Sequence, residues 1–341
     1  MNFPNTIFSG YQGPCHCQGI AVDKEKGYIY YSFTTKLIKS DLDGNVIGSV
    51  DGLIGHLGCI DFCENDGRVY GSLEFKNDII GKEILKNLNI ENTQVKNAFY
   101  CVIFDVDKID RMDMDAERDG IMRAVYLPEV VADFEDNGID HPHKYGCSGI
   151  DGTAWGPAWG KTDGEEYLRI CYGIYGNVDR TDNDCQIILT LDAKNWWDTV
   201  AKPLNQSSMH KSGAYSISKE FVRTGSTNWG VQNIEYDGYS KRWILCVYRG
   251  SKPQYTNYDM YFISAHETPK MSVDSVYGEE ISVLSTCNSG IYFPYGSTGI
   301  YAFGNGYYYF SRPGYDKERG QYTSVKLYRA TESEEIPFKE V

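Results

Sequence analysis

The sequence predicts an all-β chain folded as a five-bladed β-propeller, with six blades as the alternative. Two observations carry this. Five segments of the 341-residue chain align on a central Ile, at 16–22, 56–62, 146–152, 230–236 and 296–302. Each is followed by turn residues and further β-rich runs, and 28 Tyr and 35 Gly supply the aromatic strands and tight turns such units need.

Taken in order, the second runs are 27–33, 67–75, 167–175, 242–250 and 306–312, and the third are 36–42, 98–106, 185–193, 258–265 and 324–330. Fourth runs follow at 45–50, 121–127, 198–204, 279–284 and 336–341. This places one domain over 1–341, with blades at about 15–53, 54–140, 145–205, 228–285 and 296–341. Long insertions fall at about 76–97, 107–145 and 205–228, and a sixth blade would sit in the last of these. A single four-stranded blade cannot bury both its faces, whereas a ring of stacked blades does. Inner strands crowd at the axis, so Gly19, Gly149 and Gly299 in the column before the Ile suit that position. Residues 6–9 are expected to pair with the last blade and close the ring.

The net charge of −14 repels phosphate backbones and anionic membranes, which sets nucleic-acid and membrane partners aside. The first residues lack the basic and apolar regions of an export signal, and no apolar run approaches a membrane span. The ten cysteines are therefore expected to be reduced, in a cytoplasmic protein. The sequence leaves the oligomeric state open.

A propeller's site lies at the axis, where first strands begin and second strands end. Three histidines, His16, His56 and His143, fall near that end. Together they would hold one divalent metal ion such as Mn or Zn, with Gln18 or Gln232 nearby, or His143 would act as a general base. The structural alternative is three hydrogen-bonded funnel histidines. A second set, Asp61, Asp151 and Glu235, follows the aligned Ile and would bind Ca through oxygen, or two of them would act as acid and base. The structural alternative is that these acids accept hydrogen bonds from turn amides. Glu74, Tyr175 and Asp151 are the proton-transfer candidates. Gln18, Ser148, Gln232 and Trp229 would contact the ligand, and Arg249 and Arg312 would hold an anionic group unless they pair with the protein's own acids.

The segment GIAVDKEKGYIYYS resembles strands of the gluconolactonase and calcium-dependent phosphotriesterase propellers, which implies a calcium site at Asp61, Asp151 and Glu235. Five blades with sugar chemistry resemble the furanosidase and invertase group, which implies paired acids. The histidine set is similar in kind to the manganese site of oligogalacturonate lyase. The expectation is a carbohydrate-active lyase or hydrolase acting on a small sugar, acidic sugars included. A calcium-dependent esterase, lactonase or nucleotidase and a non-catalytic sugar-binding propeller are the alternatives.

Overall fold

Five sheets radiate from a common axis in the computed structural model, which describes residues 3–90, 96–287 and 290–341. The chain enters with β1 (Thr6–Phe8) and then builds blade one from β2 (Cys17–Asp23), β3 (Tyr28–Phe33), β4 (Lys36–Asp41) and β5 (Val46–Asp51). Blade two starts with β6 (His56–Cys63), β7 (Arg68–Phe75) and β8 (Ala98–Phe104), with helix α1 (Ile79–Asn87) inserted between β7 and β8. The chain then returns to blade one, where β9 (Met114–Asp115) pairs in parallel with β5, before β10 (Met122–Tyr126) completes blade two. Helix α2 (Pro128–Glu135) leads into blade three.

Blade three is built from β11 (Cys147–Pro157), β12 (Glu166–Ile174), β13 (Cys185–Leu191), the short helix α3 (Trp196–Thr199) and β14 (Ser218–Arg223). Blade four has three strands, β15 (Asn228–Asp237), β16 (Arg242–Tyr248) and β17 (Met260–Ser264). The next two strands, β18 (Lys270–Val273) and β19 (Glu280–Leu284), pair on the outer edge of blade three, β19 lying parallel to β14. Blade five holds β20 (Ile300–Ala302), β21 (Tyr307–Asp316), β22 (Gly320–Ala330) and β23 (Phe338–Glu340). There β1 pairs antiparallel with β22, from Thr6 opposite Lys326 to Phe8 opposite Ser324. The N-terminal strand thus closes the ring from the opposite end of the chain. No helix among the described residues is long and apolar enough to cross a membrane.

Two sequence expectations are corrected here. Residues 198–204 are not the fourth strand of blade three. Trp196 and Trp197 bury in its core through the turn of α3, and Pro203 has no N–H to give to a ladder. The fourth strand is β14, inside the stretch where a sixth blade was sought. Residues 279–284 do not complete blade four, because β19 pairs with β14 instead. Alternation along a strand sets which face is buried, but not which sheet edge the strand will find.

The axis is as crowded as the small-residue column implies. A Cβ on Gly19 of blade one would stand 2.9 Å from the backbone nitrogen of Ile60 in blade two, and one on Gly299 of blade five would stand 3.1 Å from Ile20 in blade one. The core lies between sheets as five apolar clusters among the described residues, each drawing residues from two neighbouring blades.

Closure by β1 rests on Ile7, which is 1% exposed and packs with Ile29, Tyr31 and Val325 in the cluster between blades one and five. Ile7→Ala is expected to cost about 2–5 kcal/mol in urea unfolding. A loss below about 1 kcal/mol, smaller than burial of that side chain supports, would mean that β1 does not hold the ring shut.

Candidate functional site

At the end of the ring where inner strands begin, the blades leave a cavity of about 500 Å³. Its floor is polar. His16, Gln18, His56, Glu74, Ser148, Asp151, Trp229 and Gln232, all singled out in the sequence, line it. One side is closed by α1, which the sequence reading left inside an insertion. The last part of that insertion, 91–95, lies outside the described residues.

The floor is organised around Lys76, the residue that follows β7. It is about 5% exposed, and its Nζ reaches Glu74 Oε1 at 2.6 Å, the Ser148 carbonyl at 2.8 Å and Asp78 Oδ2 at 3.7 Å. Burial alone would lower its pKa, but the Glu74 and Asp78 carboxylates outweigh that and raise it, so Lys76 is charged. Sequence reasoning missed Lys76. The available signal was a lysine directly after the strand end LEF, two residues beyond Glu74 and so on the same face.

Glu74 Oε2 accepts a hydrogen bond from the Ile150 amide at 3.1 Å, so this carboxylate ties blade two to blade three. Burial raises its pKa, and Lys76 opposes the rise. Asp151, the next residue along β11, is raised well above the usual carboxylate range, first by burial and then by the charge of Glu74. The Cys59 amide donates to its Oδ1 at 3.3 Å. Two glycines make room for these acids. A Cβ on Gly149 would lie 2.0 Å from Glu74 Oε2, and one on Gly58 would lie 2.3 Å from Asp151 Oδ1. Gly149 also has φ +126°, which other residues rarely adopt.

His56 sits beside the pair with Nδ1 3.5 Å from Glu74 Oε1 and no hydrogen-bond partner on that nitrogen. Burial, helped by the Lys76 charge, pushes its pKa down to about 3, so it is a neutral imidazole. Gln232 donates from Nε2 to the Trp229 carbonyl at 2.9 Å. Tyr175 does not line the cavity. Its hydroxyl donates to Asp78 Oδ2 at 3.3 Å and its ring packs beside Trp229 at 5.7 Å. Tyr248, which ends β16, lines the cavity and was missed.

The remaining candidates lie elsewhere. His143 packs on Tyr175 and Phe134, and its Nδ1 contacts the Phe134 carbonyl, so it does not join His16 and His56. Among the described residues no three His, Cys, Asp or Glu side chains converge to hold a metal ion. Arg249 pairs with Asp259 at 2.7 Å, and Arg312 pairs with Glu340 at 2.6 Å while stacking over Tyr295. Side chains alternate along a strand, so the cavity face falls on Tyr248 and not on Arg249 one residue later.

Asp61 and Glu235 are also outside the cavity. Asp61 Oδ2 accepts from the Trp155 amide at 2.7 Å, joining blades two and three. Glu235 Oε1 accepts from the Ala302 amide at 2.8 Å, joining blades four and five. Their separation from Asp151 comes from β11, whose pairing with β12 shifts register between Cys147 and Gly149 and again between Ile150 and Thr153. Asp61 therefore meets Trp155, while Asp151 meets Cys59.

No family model matches the chain, and no curated protein matches it. Among solved structures it is similar to the exo-1,5-α-L-arabinanase from a bovine ruminal metagenomic library. Identity is 11%, with 95% of this chain and 96% of that one covered, at a TM-score of 0.39. It is also similar to the native arabinanase of Bacillus subtilis, at 10% identity, 94% and 97% coverage and a TM-score of 0.37. A third is the holo PQQ domain of pyranose dehydrogenase from Coprinopsis cinerea, at 10% identity, 90% and 81% coverage and a TM-score of 0.33. The fold is a five-bladed β-propeller.

Two outcomes test this description. Gly149→Ala places a methyl group against Glu74 Oε2 and a strained backbone beneath it. It is expected to destabilise the fold by more than 1 kcal/mol, the ordinary cost of a strained position. Equal midpoints in thermal unfolding would contradict the geometry. Burial, opposed by the Trp155 and Phe62 amides, pushes Asp61 up to about 7 from an ordinary 3.8. A raised folded pKa gives stability that is fully present below pH 3.8 and is lost as pH climbs through 7. Asp61→Asn removes that titration. Its stability relative to the unchanged protein should improve from pH 4 to about pH 7 and level off above it, and a difference independent of pH would overturn the assignment.

Proposed function

We propose that the funnel binds a small neutral sugar glycoside and hydrolyses its glycosidic bond. The observation behind this is the pair Glu74 and Asp151. Two buried carboxyl groups lie beside one cavity, and their surroundings push them apart. Lys76 favours the ionised form of Glu74, while burial and the Glu74 charge keep Asp151 protonated. Such a separation suits acid and base roles. Asp151 would give its proton to the leaving glycosidic oxygen as that bond breaks. Glu74 would take a proton from the water that attacks the anomeric carbon. Gln18, Gln232 and the Ser148 hydroxyl would meet sugar hydroxyls, and Trp229 would supply a stacking face.

This reading runs through carboxylates because His16 and His56 alone would leave a metal ion with two imidazoles, and the calcium set is dispersed among interblade contacts. It concerns neutral sugars because Arg249 and Arg312, which a lyase on acidic sugars would use, are engaged with Asp259 and Glu340.

A panel of 4-nitrophenyl furanosides and pyranosides tests it. Turnover of at least one sugar is expected. Glu74→Gln and Asp151→Asn should each lower kcat/KM by about 10²–10⁴-fold. The pH profile should be bell-shaped, falling at low pH as Glu74 is protonated and at high pH as Asp151 loses its proton. Asp151→Asn should lose the alkaline limb of whatever activity remains. Calorimetric binding of a sugar with no turnover of any glycoside would instead make this a binding protein.

A further inference from the structure

The cavity has two unlike sides. Beside the carboxylates and amides stands α1, which with its C-cap Leu88 presents Ile80, Ile84 and Leu88 to the space at a spacing of four residues. That spacing puts them on one stripe of the helix. Glu83 and Asn87 flank the stripe and are exposed. Ile84 is buried, while Ile80 and Leu88, a turn to either side, are half-buried.

The fold buries the middle of the stripe, Ile84, but not its two ends. No residue of α1 belongs to any of the five apolar clusters among the described residues. The helix is held by other means. Asp78 caps it by accepting from the Gly81 amide at 2.9 Å, and the same carboxylate accepts from the Tyr175 hydroxyl. Gly81 lets the first turn settle on the Lys76 carbonyl, which a Cβ there would meet at 1.8 Å. The helix is thus fixed over the charged floor, and half-buried Ile80 and Leu88 border the cavity on either side of buried Ile84. Leaving aliphatic surface against water is unfavourable in proportion to its area.

We propose that the ligand is amphipathic: a sugar carrying an apolar or aromatic aglycone, with the sugar on the Glu74–Asp151 floor and the aglycone against Ile80, Ile84 and Leu88. The sugar half rests on the hydrolase reading above, while the aglycone half rests on the helix alone. A proton donor at Asp151 would then face the oxygen joining the two halves. The product released on the α1 side is a free apolar alcohol or phenol, and the sugar is released as its hemiacetal.

The aglycone site is tested without any sugar, by calorimetric titration of the whole protein with 2-naphthol. Saturable one-to-one binding is expected. Ile80→Ser and Leu88→Ser, at half-buried positions, should each weaken it by about 10-fold, the usual effect of removing apolar contacts from a pocket. Gln232→Ala, on the polar floor, should leave it unchanged. Thermal unfolding confirms that each variant is folded. No saturable binding, or binding indifferent to both helix substitutions, would overturn the proposal. Naphthol binding that depends on the helix in a protein that hydrolyses none of the nitrophenyl glycosides would sink the hydrolase reading and uphold the apolar site.

Discussion

Backbone-to-backbone approach of inner strands at the axis is the constraint from which the rest of this structure follows. Blades one and two meet with so little room that Gly19 has no space for a side chain. Crowding of this kind narrows the ring until only its end, where strands diverge, can hold a ligand. It also forces polar groups near the axis to satisfy one another across blades. Glu74 bonds the Ile150 amide of the next blade, Asp151 bonds the Cys59 amide, and Asp61 and Glu235 do the same elsewhere along the axis. The chemistry-bearing acids therefore also hold the blades in register, and the cavity inherits the rigidity of the ring.

Within that frame, charge is managed by one cation. Lys76 is deeply buried and touches Glu74, Asp78 and a carbonyl from blade three. A buried ion pair of this kind adds little net stability, but it fixes which carboxyl group is ionised. The neutral His56 beside it follows first from burial and then from the same positive charge. Protonation in the funnel is set first by burial and then adjusted by a lysine that follows the strand and lies beside the start of α1.

The architecture was legible in the sequence because a repeat of aligned strand runs is a long-range signal that survives divergence. The ring closure by residues 6–8 and the tight axis at Gly19 and Gly299 were also legible. Much of the funnel floor could be read as well, since His16, Gln18, His56, Glu74, Ser148, Asp151, Trp229 and Gln232 all reach one cavity. What failed did so for identifiable reasons. A one-residue offset at a strand end exchanged Tyr248 for Arg249, and the opposite face of a strand is a different environment. Register shifts in β11 separated Asp151 from Asp61 and Glu235, and such shifts leave no mark in a column of aligned residues. Helix α1 and Lys76 sit in or beside an insertion, where the repeat offers no template.

The strands that cover the outer edges of blades one and three emerge late in synthesis relative to the blades they complete. Strand β9 reaches blade one only after most of blade two has been made, and β19 reaches blade three only after blade four. Until those segments leave the ribosome, β5 and β14 each present an open row of amides and carbonyls to whatever is nearby. Synthesis thus runs one blade ahead of completion for blades one and three, while β1, made first, waits for the last blade. A nascent chain of this protein carries unfinished edges at β5 and β14, which makes the pace of translation a factor in whether neighbouring copies pair with one another instead.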